Sequence, residues 1–495
     1  MTAETSSPGT TDVVVVGGGN AAFVAALAAA DRGRSVVLLE AAVDGEEGGN
    51  SFYTAGATRI VHDGLADLTS LVEPDERHAT TEVPPYTEAD YVGDLEKVTA
   101  GRNDPELSRV LAAESREVLQ WLKDSHGARY RLMYERQAYE RDGGGYLFWG
   151  GLHVGNVGGG VGLIRDHQAA AERAGIDVRY GHRVTELVSG DGAVRGVVAE
   201  TADGGRVEIT AESVVIASGG FEANPEMREK HLGQGWGGAK LRGTPHNTGT
   251  MLERALDLGA GTNGDWGSCH AVAWDAWAED NESNRELTNR LTRGGYPLGI
   301  VVNIEGRRFV DEGADFRNYT YAKYGAEILR QPGAIAFQVF DSTQRPLLRT
   351  EEYDMPGVGV VVADTLEELG EGMGVDVDAF AATVREFNAS IDRSIPADPT
   401  VKDGRRAAVE PPKSNWALPI EEGPFYAFPV TCGITFTFGG LATDTHGRVL
   451  DGAGEHIAGL YACGEALGGL FAGNYPGGSG LAAGAVFGRR AGTLA

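Results

Sequence analysis

The feature that most constrains this chain is a glycine-rich turn that directly follows an apolar run near the amino terminus. Residues 13–16 are all valine, and residues 17–22 read GGGNAA, which fits the pattern G-x-G-x-x-A. In this pattern Gly17 permits a tight turn, Gly19 lets the backbone approach a pyrophosphate, and Ala22 lets the next helix pack closely against the strand. The amide groups at the start of that helix then face the phosphates. The turn therefore predicts dinucleotide binding.

The elements on either side of the turn support this interpretation. We predict strands over residues 12–16 and 35–39 with a helix over 20–31 between them, which is the opening of a doubly wound α/β fold. Glu40 ends the second strand, 23 positions after Gly17, where a carboxylate can accept hydrogen bonds from both hydroxyl groups of a ribose. An ordinary glycine turn in an α/β protein would not need this acid.

The distribution of residue types along the sequence predicts two domains, one of them discontinuous. Glycine makes up 73 of the 495 residues and lies in short loops between apolar runs at both ends of the chain. Between about residues 265 and 429 the chain instead has tryptophans, many charges and little glycine. We therefore predict a Rossmann-like α/β domain formed by residues 1–264 and 431–495, with an inserted α+β capping domain at 265–430.

Further elements are predicted within these domains. Helical patterns cover residues 104–123 and 162–174. Alternating runs over 177–184, 194–199 and 207–210 predict an antiparallel meander that closes on a buried strand at 214–217. Residues 396–412 predict a surface loop, and the first eleven residues predict a loose tail.

Composition excludes several classes of protein. A formal net charge of −28 argues against nucleic acid or an anionic membrane as the main partner. The chain has no run of 18 apolar residues that would predict a membrane span. Cys269, Cys432 and Cys463 are not spaced as a disulfide framework, a zinc site or a haem attachment. We therefore expect an acidic, cytoplasmic enzyme without a metal, in which Cys432 and Cys463 are small buried residues.

Glycine-rich segments elsewhere favour FAD over NAD as the dinucleotide. Residues 48–51 read GGNS soon after Glu40, where the ribityl chain and ring of a flavin would run. Near the end come residues 459–465, GLYACGE, and residues 474–481, NYPGGSGL. A helix predicted over 481–491 has amide groups that can sit against the N1–C2=O edge of a reduced flavin. An enzyme that uses only NAD remains an alternative and would be colourless.

These segments, together with residues 217–221 (ASGGF), resemble the FAD-dependent fumarate reductase/succinate dehydrogenase flavoprotein family over nearly the whole chain. Residues 303–312 resemble the family's N-x-x-G-x-R-F-x-x-E hairpin, in which we interpret Arg307 and Arg308 as surface charges. Residues 313–322 and 430–437 most resemble tricarballylate dehydrogenases. The resemblance implies FAD in the Rossmann-like domain and a cap that closes over a carboxylate-bearing substrate.

The fingerprint and the resemblance together imply one set of cofactor-binding residues. They are Gly17, Gly19, Asn20, Ala21, Ala22, Glu40, Gly48, Gly49, Asn50, Ser51, Gly56, Val184, Ser218, Gly219, Gly464, Glu465, Ser479, Gly480 and Leu481. Residues 158–160 (GGG), beside His153 and Asn156, predict either a loop over the cofactor or a simple lead into a helix.

The chain also departs from the family. Asn50 stands where the covalent-flavin branch has a histidine, which implies non-covalent FAD. Residues 435–437 read TFT where fumarate reductases have His-His-Thr, and Tyr475 stands where they have an arginine. Two cationic anchors for a dicarboxylate are thus missing, which disfavours plain fumarate or succinate. The chain carries no CxxCH motif, so we expect an external electron acceptor.

The resemblance also implies catalytic residues. Arg317 falls where the family has its proton-transferring arginine, and His270 where it has a histidine that can bind a carboxylate. Tyr475 and Tyr319 are further candidates, and Tyr321 and Arg293 are weaker ones. The alternatives are a salt bridge from Arg317 to Asp311, Glu312 or Asp315, a satisfied core histidine at position 270, and a structural hydroxyl at Tyr475.

The expected reaction is the oxidation or reduction of a carbon–carbon bond beside a carboxylate. It requires a hydride exchanged with flavin N5 and a proton exchanged with the neighbouring carbon. The resemblance implies the conversion of tricarballylate to cis-aconitate. A fumarate reductase, a ring-ketone dehydrogenase of the 3-ketosteroid type and a flavin-binding scaffold or sensor without turnover remain alternatives.

Overall fold

The computed structural model of the protein describes residues 9–141, 144–278 and 284–495. Two compact units divide the chain. Unit 1 comprises Met1–Gly233, Gly243–Cys269 and Phe436–Ala495, and unit 2 comprises Gln234–Arg242 and His270–Thr435. The predicted domain limits at 264/265 and 430/431 stay a prediction. Most of the predicted tail, residues 1–8, lies outside the described residues.

The α-helices in the described residues, in chain order, are α1 (Asn20–Asp31), α2 (Gly49–Phe52), α3 (Leu65–Leu68), α4 (Glu88–Thr99), α5 (Pro105–His126), α6 (Tyr134–Gln137), α7 (Gly159–Arg173), α8 (Pro225–Leu232), α9 (Thr250–Asp257), α10 (Tyr321–Leu329), α11 (Thr350–Tyr353), α12 (Leu366–Met373), α13 (Val377–Ser390) and α14 (Ser479–Leu494). Among these helices, none is long and apolar enough to cross a membrane.

The strands in the described residues, in the same order, are β1 (Gly9–Val16), β2 (Val36–Leu39), β3 (Ala57–Thr58), β4 (Thr81–Glu82), β5 (Tyr130–Leu132), β6 (Tyr139–Glu140), β7 (Tyr146–Leu147), β8 (Val154–Asn156), β9 (Asp177–Arg179), β10 (His182–Gly190), β11 (Ala193–Thr201), β12 (Arg206–Ile216), β13 (Lys240–Leu241), β14 (Thr262–Asn263), β15 (Cys269–Asp275), β16 (Ile300–Asn303), β17 (Ile335–Phe340), β18 (Val361–Ala363), β19 (Phe425–Thr437), β20 (Gly440–Leu441), β21 (Arg448–Leu450) and β22 (His456–Ala462).

Unit 1 is built on a sheet with the strand order β10-β11-β22-β12-β1-β2-β9, and β21 pairs with β22. Strand β1 pairs in parallel with β2 on one side and with β12 on the other. Its four valines, residues 13–16, are buried, because a central parallel strand is covered on both faces. The predicted α/β fold is confirmed, and helix α1 has the predicted bounds.

Two details of the predicted sheet are wrong. Residues 177–179 form the short strand β9, which pairs in parallel with β2 and is not part of the meander. Residues 207–210 and 214–216 belong to one strand, β12, which pairs antiparallel with β11 near its start and parallel with β1. One long strand thus serves both the meander and the parallel core, which short hydrophobic windows do not reveal.

Small residues let two helices of unit 1 approach closely. Gly484, Gly488 and Gly492 lie one turn apart on α14 and face α1. A Cβ atom at Gly492 would lie 2.0 Å from the carbonyl oxygen of Ala25. The glycines of α14 therefore fix its distance from α1, and both helices begin at the carboxyl edge of the sheet.

Unit 2 is built on a second sheet with the order β13-β19-β17-β16, in which β15 and β18 also pair with β19. Helices α12 and α13 cover one face through Leu369, Phe380 and Phe387, which lie in one apolar cluster with the strands. Arg308, predicted as a surface charge, is instead buried and bonded to Glu312 at 2.5 Å. The hairpin pattern does not reveal this ion pair. Arg308 and Glu312 are four positions apart, but they lie in a segment without a helix or strand that would bring such a pair together.

Candidate functional site

The predicted dinucleotide turn lies at the carboxyl ends of β1, β2 and β12. Gly17 has a φ of +119°, and a Cβ atom there would lie 2.4 Å from the carbonyl oxygen of Ala217. Its amide donates to the Leu39 carbonyl at 2.8 Å. Helix α1 begins after Gly19, which provides no side-chain cap. The amide of Asn20 donates to Ser51, and the amides of Ala21 and Ala22 are left for another acceptor. Only glycine fits the turn, and an anion fits the helix end.

Glu40 lies against this turn. A Cβ atom at Gly18 would lie 2.4 Å from Oε2 of Glu40, and the amide of Ala42 donates to Oε1 at 2.7 Å. Burial raises the pKa of Glu40, while the amides of Ala42 and Gly18 oppose the rise. The acid that the sequence spacing singled out is therefore held beside the turn, and its bond to a ribose stays a prediction.

The side chain of Asn20 ties three helices together. Its Nδ2 donates to the Leu481 carbonyl at 2.9 Å, and its Oδ1 lies 2.9 Å from Nε2 of His167. The backbone amide of Asn20 donates to Oγ of Ser51 at 3.0 Å. Three predicted cofactor residues thus meet here. The side chain of Asn20 is occupied by the protein itself, which the fingerprint does not reveal.

The segment around α2 is held by a polar contact to a residue that the sequence analysis missed. Asn50 donates from Nδ2 to Oε1 of Glu222 at 2.6 Å, and its Oδ1 accepts from the amide of Thr244 at 2.8 Å. Gly48 and Gly49, before it, both have positive φ angles. A Cβ atom at Gly56 would lie 2.8 Å from the backbone of Gly159, so that glycine serves close backbone packing.

Glu222, which is buried, and Glu465, which is half-buried, lie side by side in unit 1. Glu465 accepts from the amide of Thr437 at 2.7 Å, and Glu222 accepts from Nδ2 of Asn247 at 2.6 Å. Burial raises the pKa of Glu222. Burial and the neighbouring Glu222 carboxylate raise the pKa of Glu465 well above its usual range. Gly219 permits the cluster, because a Cβ atom there would lie 2.2 Å from Asn247.

Other predicted cofactor residues lie near the same segments. A Cβ atom at Gly464 would lie 2.7 Å from Cβ of Ala21, so the GE segment passes directly over α1. Ser218 directly follows the carboxyl end of β12 and Ala217. Val184 lies in β10 with its side chain in the hydrophobic core, which leaves only its backbone for a ligand.

The start of α14 is fixed by an arginine that the sequence analysis missed. Ser479 and Gly480 open the helix after Gly478, whose carbonyl accepts from the amide of Arg59 at 3.2 Å. The buried side chain of Arg59 donates from Nε to the carbonyl of Gly477 at 2.9 Å and forms an ion pair with Asp94 at 2.8 Å. No local pattern marks Arg59, because its partners are distant in sequence.

Tyr475 lies in an aromatic cluster of unit 1. Its ring is edge-to-face with Phe436 at 5.0 Å and with Phe471 at 5.4 Å. The carboxylate contact predicted for Tyr475 stays a prediction.

His153 lies directly before β8 and Asn156 ends it, and both residues are buried.

In unit 2, His270 lies beside Tyr321 and faces the charge of Arg242. The His270 and Tyr321 rings are edge-to-face at 4.9 Å. Burial, and then the positive charge of Arg242, lower the pKa of His270 well below its usual range. Arg242 donates from Nη1 to Oγ1 of Thr435 at 2.9 Å. His270 is thus a neutral hydrogen-bonding group, and Arg242 is a cation that the sequence analysis missed.

Arg317 forms its ion pair with Glu352. The distance from Nη1 to Oε1 is 3.9 Å, and 18% of the Arg317 side chain remains exposed. The side chain of Glu352 is buried, and Arg349 lies 3.1 Å from the same Oε1. Tyr319 is buried two residues after Arg317. None of the three acids proposed as alternatives is this partner.

The three acids near Arg317 in sequence bond elsewhere. Asp311 accepts from the amide of Ser414 at 2.9 Å, Glu312 bonds Arg308, and Asp315 lies 3.7 Å from Lys402. The weaker candidate Arg293 is sealed, since its fully buried guanidinium bonds Asp275 at 2.5 Å. Asp311, Asp315 and Arg293 pair with residues outside their own segment, and Glu312 pairs with Arg308 four positions before it, so the nearness of these acids to Arg317 in sequence does not predict its partner.

The residues of unit 1 fit a dinucleotide such as FAD. The turn at Gly17 and the approach at Gly18 both lack room for a side chain, as a pyrophosphate and ribose cradle requires. Helices α1 and α14 both begin after glycines that provide no side-chain cap. The amides of Asn20 and Ser479 have partners in the protein, and the amides that follow them in each first turn can face an anion. Glu40 supplies a carboxylate of the kind that binds ribose hydroxyls.

Comparisons with known proteins agree with this fit. Residues 12–481 match the model of the family described as "FAD binding domain". A probable fumarate reductase of Shewanella frigidimarina is 31% identical, over 98% of this chain and 74% of the relative. The 4-oxocyclohexanecarboxylate 2-dehydrogenase of Sinomonas cyclohexanicum is 32% identical, over 78% of this chain and 70% of the relative. The open conformation of a flavocytochrome c3 fumarate reductase matches with a TM-score of 0.73 at 30% identity, over 98% of this chain and 78% of the other.

Proposed function

This chain belongs to the FAD-binding flavoprotein family that contains the fumarate reductases and is an FAD-dependent oxidoreductase of CH–CH bonds, and we propose that its substrate carries a carboxylate beside that bond. The observation that carries this proposal is Arg317, which keeps 18% of its side chain exposed while Arg293 and Arg308 are sealed in short ion pairs. Bound FAD would supply hydride transfer at N5. In our proposal it is held non-covalently by the cofactor residues of unit 1.

The proton step falls to Arg317 in this proposal. A guanidinium is normally always protonated, so it can act as an acid or base only where a neighbouring group takes over the charge. The buried carboxylate of Glu352, 3.9 Å from Arg317, is such a group, and Arg349 holds it from the other side at 3.1 Å. Arg317 would exchange the proton with the substrate carbon, and Glu352 would restore its protonation state.

The carboxylate of the substrate would bind to groups of unit 2. Arg242 bonds Thr435, at the position where fumarate reductases have the first histidine of their His-His-Thr motif. The positive charge of Arg242 supports anion binding, although the histidine of the fumarate reductases is absent from this chain. His270 is neutral and would contribute a hydrogen bond, and Tyr319 is a further candidate in unit 2. The role predicted for Tyr475, in unit 1, stays a prediction. A tricarboxylate, which adds anionic groups, suits a site with several arginines.

We propose tricarballylate and cis-aconitate as the substrate pair, with an external electron acceptor and without nucleic acid. Cytoplasmic location stays a prediction. A steady-state assay of the FAD-loaded protein with a dye acceptor tests this proposal. Tricarballylate should bleach the dye, and it should do so faster than succinate. No turnover of tricarballylate, with fumarate reduced by the reduced dye, would identify a fumarate reductase instead.

A ring ketone that also carries a carboxylate is the second candidate. The similarity to a 4-oxocyclohexanecarboxylate 2-dehydrogenase favours it, because that relative's substrate combines both groups. The same dye assay with 4-oxocyclohexanecarboxylate separates the two candidates. Failure of a broad anaerobic panel to change the flavin absorbance would favour a flavin-binding scaffold or sensor.

A further inference from the structure

A pair of carboxyl groups in unit 1 has no part in the proton step above. Glu222 lies after β12 and has no exposed surface, and Glu465 lies after β22. The two side chains are hydrogen-bonding partners of each other. Two ionised carboxylates cannot form such a bond, because each is an acceptor only. The contact therefore requires a proton between them.

The other contacts show where this proton is needed. Oε1 of Glu222 accepts from Nδ2 of Asn50 and from Nδ2 of Asn247, both at 2.6 Å. Oε1 of Glu465 accepts from the amide and the hydroxyl of Thr437, at 2.7 and 3.0 Å. Oε2 of Glu222 is buried, and no N–H or hydroxyl group of the described residues donates to it. A proton on Glu465 would supply the donor that Oε2 of Glu222 lacks.

The charge of the pair is assigned by the same contacts. Burial and the nearby Glu222 carboxylate raise the pKa of Glu465 well above its usual range. Burial also raises the pKa of Glu222, but Glu465, Asn247 and Asn50 donate to it and oppose that rise. The stronger rise in the pKa of Glu465 favours the proton on Glu465 and the negative charge on Glu222. A second charge beside the buried carboxylate of Glu222 would be strongly repelled.

The chain keeps this pair close and places it among the cofactor segments. A Cβ atom at Gly220 would lie 2.1 Å from Oε1 of Glu465 and 2.2 Å from the hydroxyl of Thr437, so only glycine permits the approach. Asn50, Glu465 and the neighbouring Gly219 all belong to the segments assigned to FAD. Reduction of FAD by two electrons adds negative charge, which a buried anion opposes in a medium of low dielectric constant.

We propose that Glu222 and Glu465 hold one proton between them, so that the pair carries a single negative charge, and that this charge makes the bound FAD harder to reduce. The inference rests on the assignment of these segments to FAD and is independent of which substrate is oxidised.

The test uses the isosteric variants Glu222→Gln, Glu465→Gln and the double variant, and measures the midpoint potential of bound FAD without substrate. Each single variant replaces one carboxyl group by an amide and removes the shared proton. One carboxylate with an amide donor is left, so the charge stays the same and the potential should shift little. The double variant removes the charge. It should raise the preference for reduced over oxidised FAD at least tenfold, which equals about 30 mV for a two-electron couple.

Two outcomes would overturn this inference. If both single variants raise the potential and their effects add, the pair carries two charges. If the double variant has the wild-type potential, the charge does not act on FAD.

A second measurement remains available should the double variant lose FAD. The infrared carbonyl stretch of a carboxylic acid should be present in the wild-type protein at neutral pH and absent from each single variant. A wild-type spectrum that contains no band removed by Glu465→Gln would also overturn the proposal.

Discussion

The two units place a glutamate beside candidate site residues in opposite ways. In unit 1, Glu465 faces another acid, Glu222, and only a shared proton makes that contact favourable. In unit 2, Glu352 faces two arginines, Arg317 and Arg349, at 3.9 and 3.1 Å, so its negative charge is compensated. The same residue type therefore holds a proton in one unit and takes part in an ion pair in the other. The surroundings of each glutamate decide which role it has.

The units also differ in what they offer to a ligand. Unit 1 would contact a ligand through backbone groups, because its dinucleotide turn depends on glycines such as Gly17 and Gly18 that leave no space for a Cβ atom. Unit 2 offers long charged side chains such as Arg242 and Arg317. We therefore expect substitutions that add side-chain volume to impair FAD binding in unit 1, and substitutions that remove a charge to impair catalysis in unit 2. Four variants test this contrast.

Arg317→Ala should have the largest effect. Loss of a proton-transferring group should lower kcat by about 10²- to 10⁴-fold, since general acid–base catalysis contributes that much, while the FAD content stays at the wild-type level. Arg330→Ala is the control, because Arg330 is also ion-paired in unit 2 but exposed. Equal activities of the two variants would remove Arg317 from the proposed mechanism.

Gly17→Ala should abolish most FAD binding. The new Cβ atom would lie 2.4 Å from the Ala217 carbonyl at a φ of +119°, and such backbone strain costs about 1–3 kcal/mol before any clash. FAD content after purification and the unfolding temperature measure the effect. Gly33→Ala is the matched control, since Gly33 also has a positive φ but has open space around it. Full FAD occupancy in Gly17→Ala would contradict the assignment of this turn to FAD binding.

Glu352→Gln should lower kcat by about tenfold to a hundredfold, because the amide cannot take up the charge that Arg317 and Arg349 require. Its oxygen can still accept from the amide of Gly294, so the fold should persist. The measurement is kcat and its pH profile, compared with those of the neighbouring variant Glu351→Gln. A wild-type profile would show that Glu352 has only a structural role.

Glu40→Gln should have the smallest effect. The amide keeps an acceptor but loses the charged hydrogen bonds to a ribose, so the Kd of the apo-protein for FAD should rise about tenfold, which corresponds to about 1.4 kcal/mol. Asp44→Asn, an exposed neighbour, is the control. Unchanged affinity in both variants would leave the ribose assignment without support.

The parts of the fold that follow local rules were predictable from the sequence. The alternation of an apolar run, a glycine turn and an alanine-rich segment predicted α1 with the bounds found, because each rule acts within a few residues. The same is true of the α/β class. Local windows failed at β12, where one strand serves two parts of the sheet.

The site was less predictable where distant residues decide the chemistry. Glu222, Arg59 and Arg242 were not identified, because their partners Glu465, Gly477 and Thr435 lie more than 190 positions away in each case. Arg308 was interpreted as exposed because charge alone suggested solvent, and its buried partner Glu312 overturned this. The two residues of this pair lie only four positions apart, but the sequence does not show that both side chains are buried.

The division of the chain has a practical consequence for building chimaeric enzymes. Residues 234–242 belong to unit 2, although unit 1 precedes and follows them, and β13 within this short piece pairs with residues 433 and 434 of β19. An exchange of residues 270–435 alone would transplant a sheet without one of its own strands. Recombination between homologues should therefore transfer both pieces together, or preserve the register at Lys240 and Leu241.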